Sequence, residues 1–216
     1  MRALAVTPIH LPEHEIARRQ ARYDRLAPPG LWVELRDVGP TAPTALDDEE
    51  DVRRSERAVT EVLTSTNVGH AGYDIVFPDC VLDPGVPARA ASASPRVHGL
   101  LKLAAGHLAA SGERFGAVVR NEAIATELDR RLKVYGLADY VAGIAVLDLP
   151  FEAIADTAAW NAALARAVEG LASSGAGVVL NGCSAVDVDA GPLPARVVDP
   201  TALALRLLTI EHGSHR

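Results

Sequence analysis

The chain has 216 residues, of which 49% are apolar but only 4% aromatic. A chain of this length can bury a sizeable aliphatic core, in one large domain or in two similar lobes. The formal net charge of −7 argues against nucleic acid or an anionic membrane surface as partner, because both are negatively charged. No apolar run approaches the ~18 residues of a membrane span. The apolar stretch at residues 3–6 is also too short for a signal peptide, so we expect a cytoplasmic protein.

Apolar runs of strand length alternate with longer segments of helical period along the whole chain. The predicted strands are residues 2–8, 31–38, 73–78, 97–99, 114–120, 141–147, 177–180 and 196–198. The predicted helices are residues 12–26, 47–63, 100–108, 121–136, 151–171 and 200–210, with 212–216 as a loose tail.

This alternation predicts an α/β protein with mostly parallel sheets flanked by helices. The second half of the chain repeats the rhythm of the first, which indicates two pseudo-symmetric lobes with an active-site cleft between them. We assign residues 1–98 and 200–216 to the first lobe and residues 99–199 to the second.

The chain has only two cysteines, and each directly follows a predicted strand, one in each half. Ligands of parallel sheets bind beyond the carboxyl ends of the strands, so we expect Cys80 and Cys183 at the cleft. A single cysteine after an apolar strand is most often a buried small side chain. Two at matching positions indicate a paired acid and base, and a cytoplasmic location favours free thiols over a disulfide.

Five motifs occur in a fixed order along the chain. They are Val6-Thr7-Pro8, Cys80-Val81-Leu82-Asp83-Pro84-Gly85, the run 112–137 ending in Tyr135-Gly136-Leu137, Asn181-Gly182-Cys183-Ser184 and Val197-Val198-Asp199. Together they resemble the aspartate/glutamate racemase superfamily, and within it the hydantoin racemase branch. The resemblance departs at two places: Thr7-Pro8-Ile9-His10 replaces Asn-Pro-Asn-Thr, and Val81 replaces an aromatic residue.

The resemblance implies a racemase or epimerase that uses no metal, pyridoxal phosphate or nucleotide. Cys80 and Cys183 would act on opposite faces of a carbon beside a carbonyl, because one base cannot easily reach both faces. A thiol with a pKa lowered from ~8.5 toward neutrality suits both the acid and the base role. The expected substrate is a hydantoin-like or other amino-acid-derived small molecule, and we expect a homo-oligomer.

The candidate substrate contacts are Pro8, His10, Val81, Arg120, Asn121, Gly182 and Ser184. Arg120 fits either a carboxylate anchor or an exposed cation at a strand end. Asn121 fits a helix cap better than a ligand contact. Loss of the proton beside the carbonyl gives an enolate, and Ser184 would add a hydrogen-bond donor to it. The seven histidines lack metal-ligand spacing. We interpret the four arginines of the first helix, Arg18, Arg19, Arg22 and Arg25, as a solvated face.

Two alternatives remain open. Relatives with the same fold decarboxylate malonates or isomerise maleate, and the altered first-strand motif leaves room for either reaction. A non-catalytic, ligand-binding relative is the alternative from another class of function.

Overall fold

The computed structural model describes residues 1–65, 68, 71–89, 95–189 and 191–213, which form two four-stranded parallel sheets. The first sheet contains β1 (Arg2–Val6), β2 (Trp32–Arg36), β3 (Ile75–Pro78) and β4 (Arg96–Val97). The second contains β5 (Phe115–Val119), β6 (Val141–Val146), β7 (Val178–Asn181) and β8 (Arg196–Val198). The strand orders are β2-β1-β3-β4 and β6-β5-β7-β8, so the two sheets have the same topology. The predicted α/β class with two similar lobes is confirmed.

The central strands are continuous apolar runs because helices cover both faces of each sheet. Every residue of β3, β5 and β7 is buried. The edge strand β2 alternates instead: Trp32 and Glu34 are exposed, whereas Val33 and Leu35 are buried.

Six helices flank the sheets in the described part of the chain. They are α1 (Glu13–Leu26), α2 (Glu49–Thr64), α3 (Leu100–Ala110), α4 (Glu122–Val134), α5 (Thr157–Ser173) and α6 (Pro200–Gly213). The Asn121 side chain accepts a hydrogen bond from the Ile124 amide at 3.0 Å, which confirms the predicted N-cap of α4. At the other end Gly136 has φ +72°, the left-handed conformation that a helix-ending glycine supplies. Helix α6 extends past its predicted end, and residues 214–216 of the expected tail lie outside the described residues.

The predicted single helix at residues 151–171 is wrong. The chain forms a 3-10 turn at Phe151–Ile154 and starts α5 only at Thr157. The break occurs at Asp156, whose carboxylate accepts a hydrogen bond from the Ala159 amide at 3.0 Å and so caps a new helix. Short acidic side chains favour this capping arrangement over a helix interior.

Helix α3 lies between the two lobes and contributes to the cores of both. Leu100 packs in the cluster that contains Leu205 and Leu208, next to the first sheet. Leu101 and Leu108 pack in the cluster that contains Phe115 of the second sheet.

The predicted lobe boundaries stay a prediction. None of the helices in the described ranges has the length and apolarity that crossing a membrane requires.

Candidate active site

The two cysteines occupy equivalent positions in the two lobes. Cys80 lies two residues beyond β3, and Cys183 lies two residues beyond β7. Each of these strands is the third in its sheet order. Both cysteines are free thiols, and both line one pocket between the lobes with an empty volume of about 490 Å³.

The pocket is largely apolar and brings together most of the predicted site residues. Its apolar lining includes Ile9, Leu46, Leu82, Ile124, Phe151 and Ile154. Pro8, Val81, Arg120, Gly182 and Ser184 line it together with both cysteines, whereas His10 and Asn121 do not. In the described part of the chain, no group of three or more His, Cys, Asp or Glu side chains could hold a metal ion.

His10 and Asn121 make other contacts. The His10 Nδ1 lies 2.7 Å from a carboxylate oxygen of Asp37, and 43% of the His10 side chain is exposed. Asn121 caps α4 and donates from Nδ2 to the Leu46 carbonyl at 2.8 Å. Asn121 therefore supports the segment that carries Leu46 into the pocket wall.

Gly182 and Ser184 hold the turn that carries Cys183. A Cβ on Gly182 would lie 2.2 Å from the Val118 carbonyl oxygen, so the chain approaches β5 more closely than any side chain permits. The Gly182 amide donates to that same carbonyl at 2.8 Å. The Ser184 hydroxyl donates to the Asp79 carbonyl at 2.9 Å. This bond occupies the hydroxyl hydrogen that the sequence analysis assigns to the enolate. It also joins the residue before Cys80 to the residue after Cys183.

The Cys80 turn is held by a buried carboxylate whose role the sequence reasoning missed. Asp83 has φ +50° in the turn, a left-handed conformation that Asp tolerates better than most residues. Its carboxylate accepts hydrogen bonds from the Leu101 and Lys102 amides at 3.0 and 2.9 Å, at the start of α3. The Tyr135 hydroxyl of the second lobe donates to it at 3.0 Å. Burial raises the pKa of Asp83 to about 6, although these donors act to lower it.

The arginines of α1 are not a solvated face, and that prediction is wrong for two of them. Arg19 and Arg22 are only 4% and 2% exposed. Arg22 donates to the Val186 carbonyl at 3.1 Å and to the Asp187 carboxylate at 2.9 Å, and it also pairs with Asp199. The neighbouring Arg18 donates to the Ala185 carbonyl at 3.1 Å, and Arg25 pairs with Asp187. Helix α1 of the first lobe therefore holds the loop that follows Cys183 of the second.

Arg19 and Tyr23 hold the residue that precedes Cys80. Arg19 Nη1 donates to one carboxylate oxygen of Asp79 at 3.3 Å, and the Tyr23 hydroxyl donates to the other at 2.7 Å. Burial and the Asp79 charge raise the pKa of Tyr23, so this hydroxyl stays protonated and donates. Asp79 is 1% exposed, and it is paired as a buried carboxylate requires.

Arg120 is also paired. Its Nη2 donates to the Leu46 carbonyl and to the Asp47 carboxylate, both at 2.7 Å. Its Nη1 donates to the Leu149 carbonyl at 3.4 Å, and the guanidinium lies 5.9 Å from the centre of the Phe151 ring. Arg120 thus has a carboxylate partner within the protein.

The two thiols have different electrostatic surroundings. Burial raises the pKa of Cys80; the Leu82 amide, 3.4 Å from its sulfur, lowers it, while the charges of Asp79 and Asp83 raise it further. Burial also raises the pKa of Cys183; the Ala185 amide and the Arg19 charge offset part of this rise, and the Asp79 charge adds to it. Both pKa values thus lie above the ordinary thiol value, so the lowering toward neutrality that the sequence analysis expects is not found. The pKa of Cys183 is raised less than that of Cys80.

Comparison with known proteins gives one family match and several similar solved structures. A family model described as Asp/Glu/Hydantoin racemase matches residues 17–208, whereas no curated protein sequence matches significantly. Two similar solved structures are allantoin racemases at 19% identity. The one from Pseudomonas fluorescens has a TM-score of 0.77 over 99% of this chain and 92% of that one. The one from Klebsiella pneumoniae has a TM-score of 0.75 over 99% and 89%.

An arylmalonate decarboxylase is similar at a TM-score of 0.61 and 16% identity, over 100% of this chain and 94% of that one. At these identities the structural likenesses establish the fold. The family match covers most of the chain, and it confirms both the resemblance seen in the five motifs and the expectation of an isomerase. The chain belongs to the Asp/Glu/hydantoin racemase family.

Proposed function

We propose that the protein is a cofactor-independent racemase or epimerase of a small, uncharged, hydantoin-like amide, with Cys80 and Cys183 as its acid and base. The observation that carries the proposal is that two free thiols enter one pocket from equivalent loops of the two lobes. Two groups brought in from opposite lobes suit a reaction that removes a proton from one face of a carbon and returns one to the other.

In this mechanism the reacting carbon lies between the sulfurs, each within a near-attack distance of ~3–3.5 Å. The Cys183 thiolate takes the proton from one face, the electron pair moves to the carbonyl oxygen, and the Cys80 thiol gives its proton to the other face. After this turnover Cys183 is the thiol and Cys80 the thiolate. In this protonation state the enzyme can act on the opposite enantiomer. Proton exchange with water can also restore the starting state, with Cys183 as the thiolate and Cys80 as the thiol.

The pocket favours an uncharged substrate over aspartate or glutamate. Its walls are mostly aliphatic, and both arginines that line it already have carboxylate partners, Asp79 for Arg19 and Asp47 for Arg120. A substrate carboxylate would have to compete with these ion pairs while losing its own hydration. A neutral ring amide has no such cost, and the similarity to allantoin racemases supports this class.

Decarboxylation of a malonate is the second candidate, supported by the similarity to arylmalonate decarboxylase. That reaction loses CO₂ and then needs only one proton donor, so it leaves the second thiol without a role. Release of CO₂ distinguishes it from racemisation.

The test is to incubate each enantiomer of a set of 5-substituted hydantoins with the enzyme in deuterated buffer. We expect loss of optical rotation together with uptake of one deuterium at the reacting carbon. Cys80→Ser and Cys183→Ser should each reduce racemisation at least ~10³-fold. Each variant should still exchange the proton of one enantiomer, and the enantiomer should differ between the two variants.

Ser111→Ala, a change in an exposed residue after α3, serves as the control and should keep wild-type rates. Racemisation that survives both cysteine substitutions contradicts the two-thiol mechanism. Release of CO₂ from a malonate, without exchange into hydantoins, favours the decarboxylase. Formation of a homo-oligomer and cytoplasmic location stay predictions.

A further inference from the structure

Arg19 reaches the pocket from outside the motifs that the sequence reasoning singled out. It lies in the middle of α1, yet it lines the same pocket as Cys80 and Cys183. Its side chain is 5% exposed, so it is a buried cation in the wall of the candidate active site.

The guanidinium of Arg19 has donors that the protein does not use. A guanidinium carries five N–H donors, and in the described part of the chain only Nη1 makes a hydrogen bond, to Asp79 at 3.3 Å. The Nε atom is buried without a hydrogen-bond partner. Its nearest carboxylate oxygen, on Glu15, lies 3.8 Å away, and that carboxylate already accepts hydrogen bonds from Arg18. The Nη2 group also has no hydrogen-bond partner in the described part of the chain, and unlike Nε it is not fully buried. Nη2 is therefore the donor of Arg19 that a molecule in the pocket can reach.

The other arginine of the pocket differs in this respect. Arg120 donates to two carbonyls and one carboxylate, those of Leu46, Leu149 and Asp47. These contacts make Arg120 a link between the Asp47 segment and the second lobe. Arg120 thus uses both of its terminal nitrogens within the protein, whereas Arg19 uses one, so Arg19 is the pocket arginine with more donors left to offer.

The charge balance around Arg19 indicates what kind of acceptor fits. Asp79 compensates the positive charge of Arg19. The site therefore offers a substrate a hydrogen-bond donor, with little net charge. Such a donor suits a neutral carbonyl oxygen that becomes negative as the neighbouring carbon loses its proton. The guanidinium is also close enough to the Cys183 sulfur to lower the pKa of that thiol, so it is near one of the two groups that would take the proton.

We propose that Arg19 hydrogen-bonds the carbonyl oxygen beside the reacting carbon and stabilises the enolate. This inference rests on the proposed function for its substrate. When a thiolate takes the proton, the C–H electron pair moves into the carbonyl, and the negative charge develops on the oxygen that Arg19 binds. The proton remains on sulfur, and the step needs no further reactant.

The test compares Arg19→Gln and Arg19→Lys, with Arg53→Gln as the control, since Arg53 is an exposed arginine of α2. Arg19→Gln should lower kcat for hydantoin racemisation by ~10²–10³-fold, the usual effect of losing one oxyanion donor. KM should change much less, because the bond strengthens as the charge develops. Arg19→Lys should recover part of the lost kcat, and Arg53→Gln should match the wild type.

A second measurement needs no substrate. In a Cys80→Ser background, the rate at which iodoacetamide alkylates Cys183 reports the thiolate fraction. Removing the Arg19 charge should raise the pKa of Cys183 and move this pH profile to higher pH. A merely structural Arg19 would leave the profile in place.

The outcomes separate this inference from the proposed function. If the wild type racemises the substrate and folded Arg19→Gln has the same kcat, the role of Arg19 is overturned and the proposed function stands. Absence of racemisation in the wild type overturns the proposed function and this inference with it. Loss of the far-ultraviolet circular dichroism signal in both Arg19 variants would assign Arg19 to the fold and contradict a role in binding substrate.

Discussion

The Cys80 turn and the Cys183 turn follow equivalent strands, yet the protein holds them by opposite means. Around Cys80 the anchoring groups are carboxylates, Asp79 before it and Asp83 after it, and Asp83 is bound by the start of α3. Around Cys183 they are cations, since α1 places Arg18 and Arg22 on the loop that follows it. Equal topology thus gives the two thiols similar positions but unequal acidity. In the proposed two-thiol mechanism, this asymmetry makes Cys183 the easier of the two thiols to ionise.

The largest expected effect comes from breaking the Cys183 turn at Gly182. Gly182→Ala would place a methyl group 2.2 Å from the Val118 carbonyl oxygen, which is backbone and cannot move aside. We expect a loss of about 4 kcal/mol in the free energy of unfolding, or loss of folding, measured by urea denaturation. The matched control is Gly170→Ala in α5, where a Cβ meets nothing within 4 Å. That change should stabilise the protein by about 0.5–1 kcal/mol; equal effects of the two substitutions would contradict the close approach at Gly182.

A smaller loss should follow from removing the cation that anchors the same loop. Arg22→Met leaves the half-buried Asp199 carboxylate without its cationic partner and leaves the Val186 carbonyl without this donor. Breaking a buried ion pair in this way costs about 3 kcal/mol, which a urea titration at pH 7 measures. Arg25→Met removes an exposed arginine from the same helix and should cost less than about 1 kcal/mol. A loss of less than about 1 kcal/mol for Arg22→Met would show that α1 does not hold the loop.

The smallest expected effect concerns the carboxylate behind Cys80 and is seen in the pH dependence of stability. Burial raises the pKa of Asp83 from 3.8 to about 6, so the folded state binds this proton more tightly than the unfolded chain. The stability from this group is fully present below about pH 4 and is lost as pH rises to about 6, by roughly 2–3 kcal/mol. We compare the unfolding free energies of the wild type and Asp83→Asn from pH 4 to 7. As the pH rises, the wild type should lose stability relative to Asp83→Asn, which has no carboxylate to ionise at this position. A constant difference between the two would contradict the raised pKa.

The fold was largely predictable from the sequence because the signals for it are local. Apolar runs marked the central strands, Asn121 and Gly136 marked the ends of α4, and the two cysteines marked the carboxyl ends of β3 and β7. One local signal was missed: Asp156 caps a new helix in the middle of a pattern that predicted a single one.

The contacts of the site were less predictable because they join distant parts of the chain. Arg22 and Asp187 are 165 positions apart, and an arginine-rich helix face is ordinarily solvated. Nothing local shows that a loop of the other lobe covers it. The bonds of Asp83 to the Leu101 and Lys102 amides likewise depend on where α3 lies in the fold, which no local pattern shows.

The hydrogen bond from Ser184 to the Asp79 carbonyl has a consequence for the size of the substrate. Asp79 precedes Cys80 and Ser184 follows Cys183, so this one bond closes a short loop of atoms through both cysteine backbones. This bond therefore limits how far the two cysteine backbones can separate. A substrate that needs the two thiols farther apart would have to break the bond. Under the proposed two-thiol mechanism, we expect the enzyme to discriminate among its substrates by their thickness at the reacting carbon.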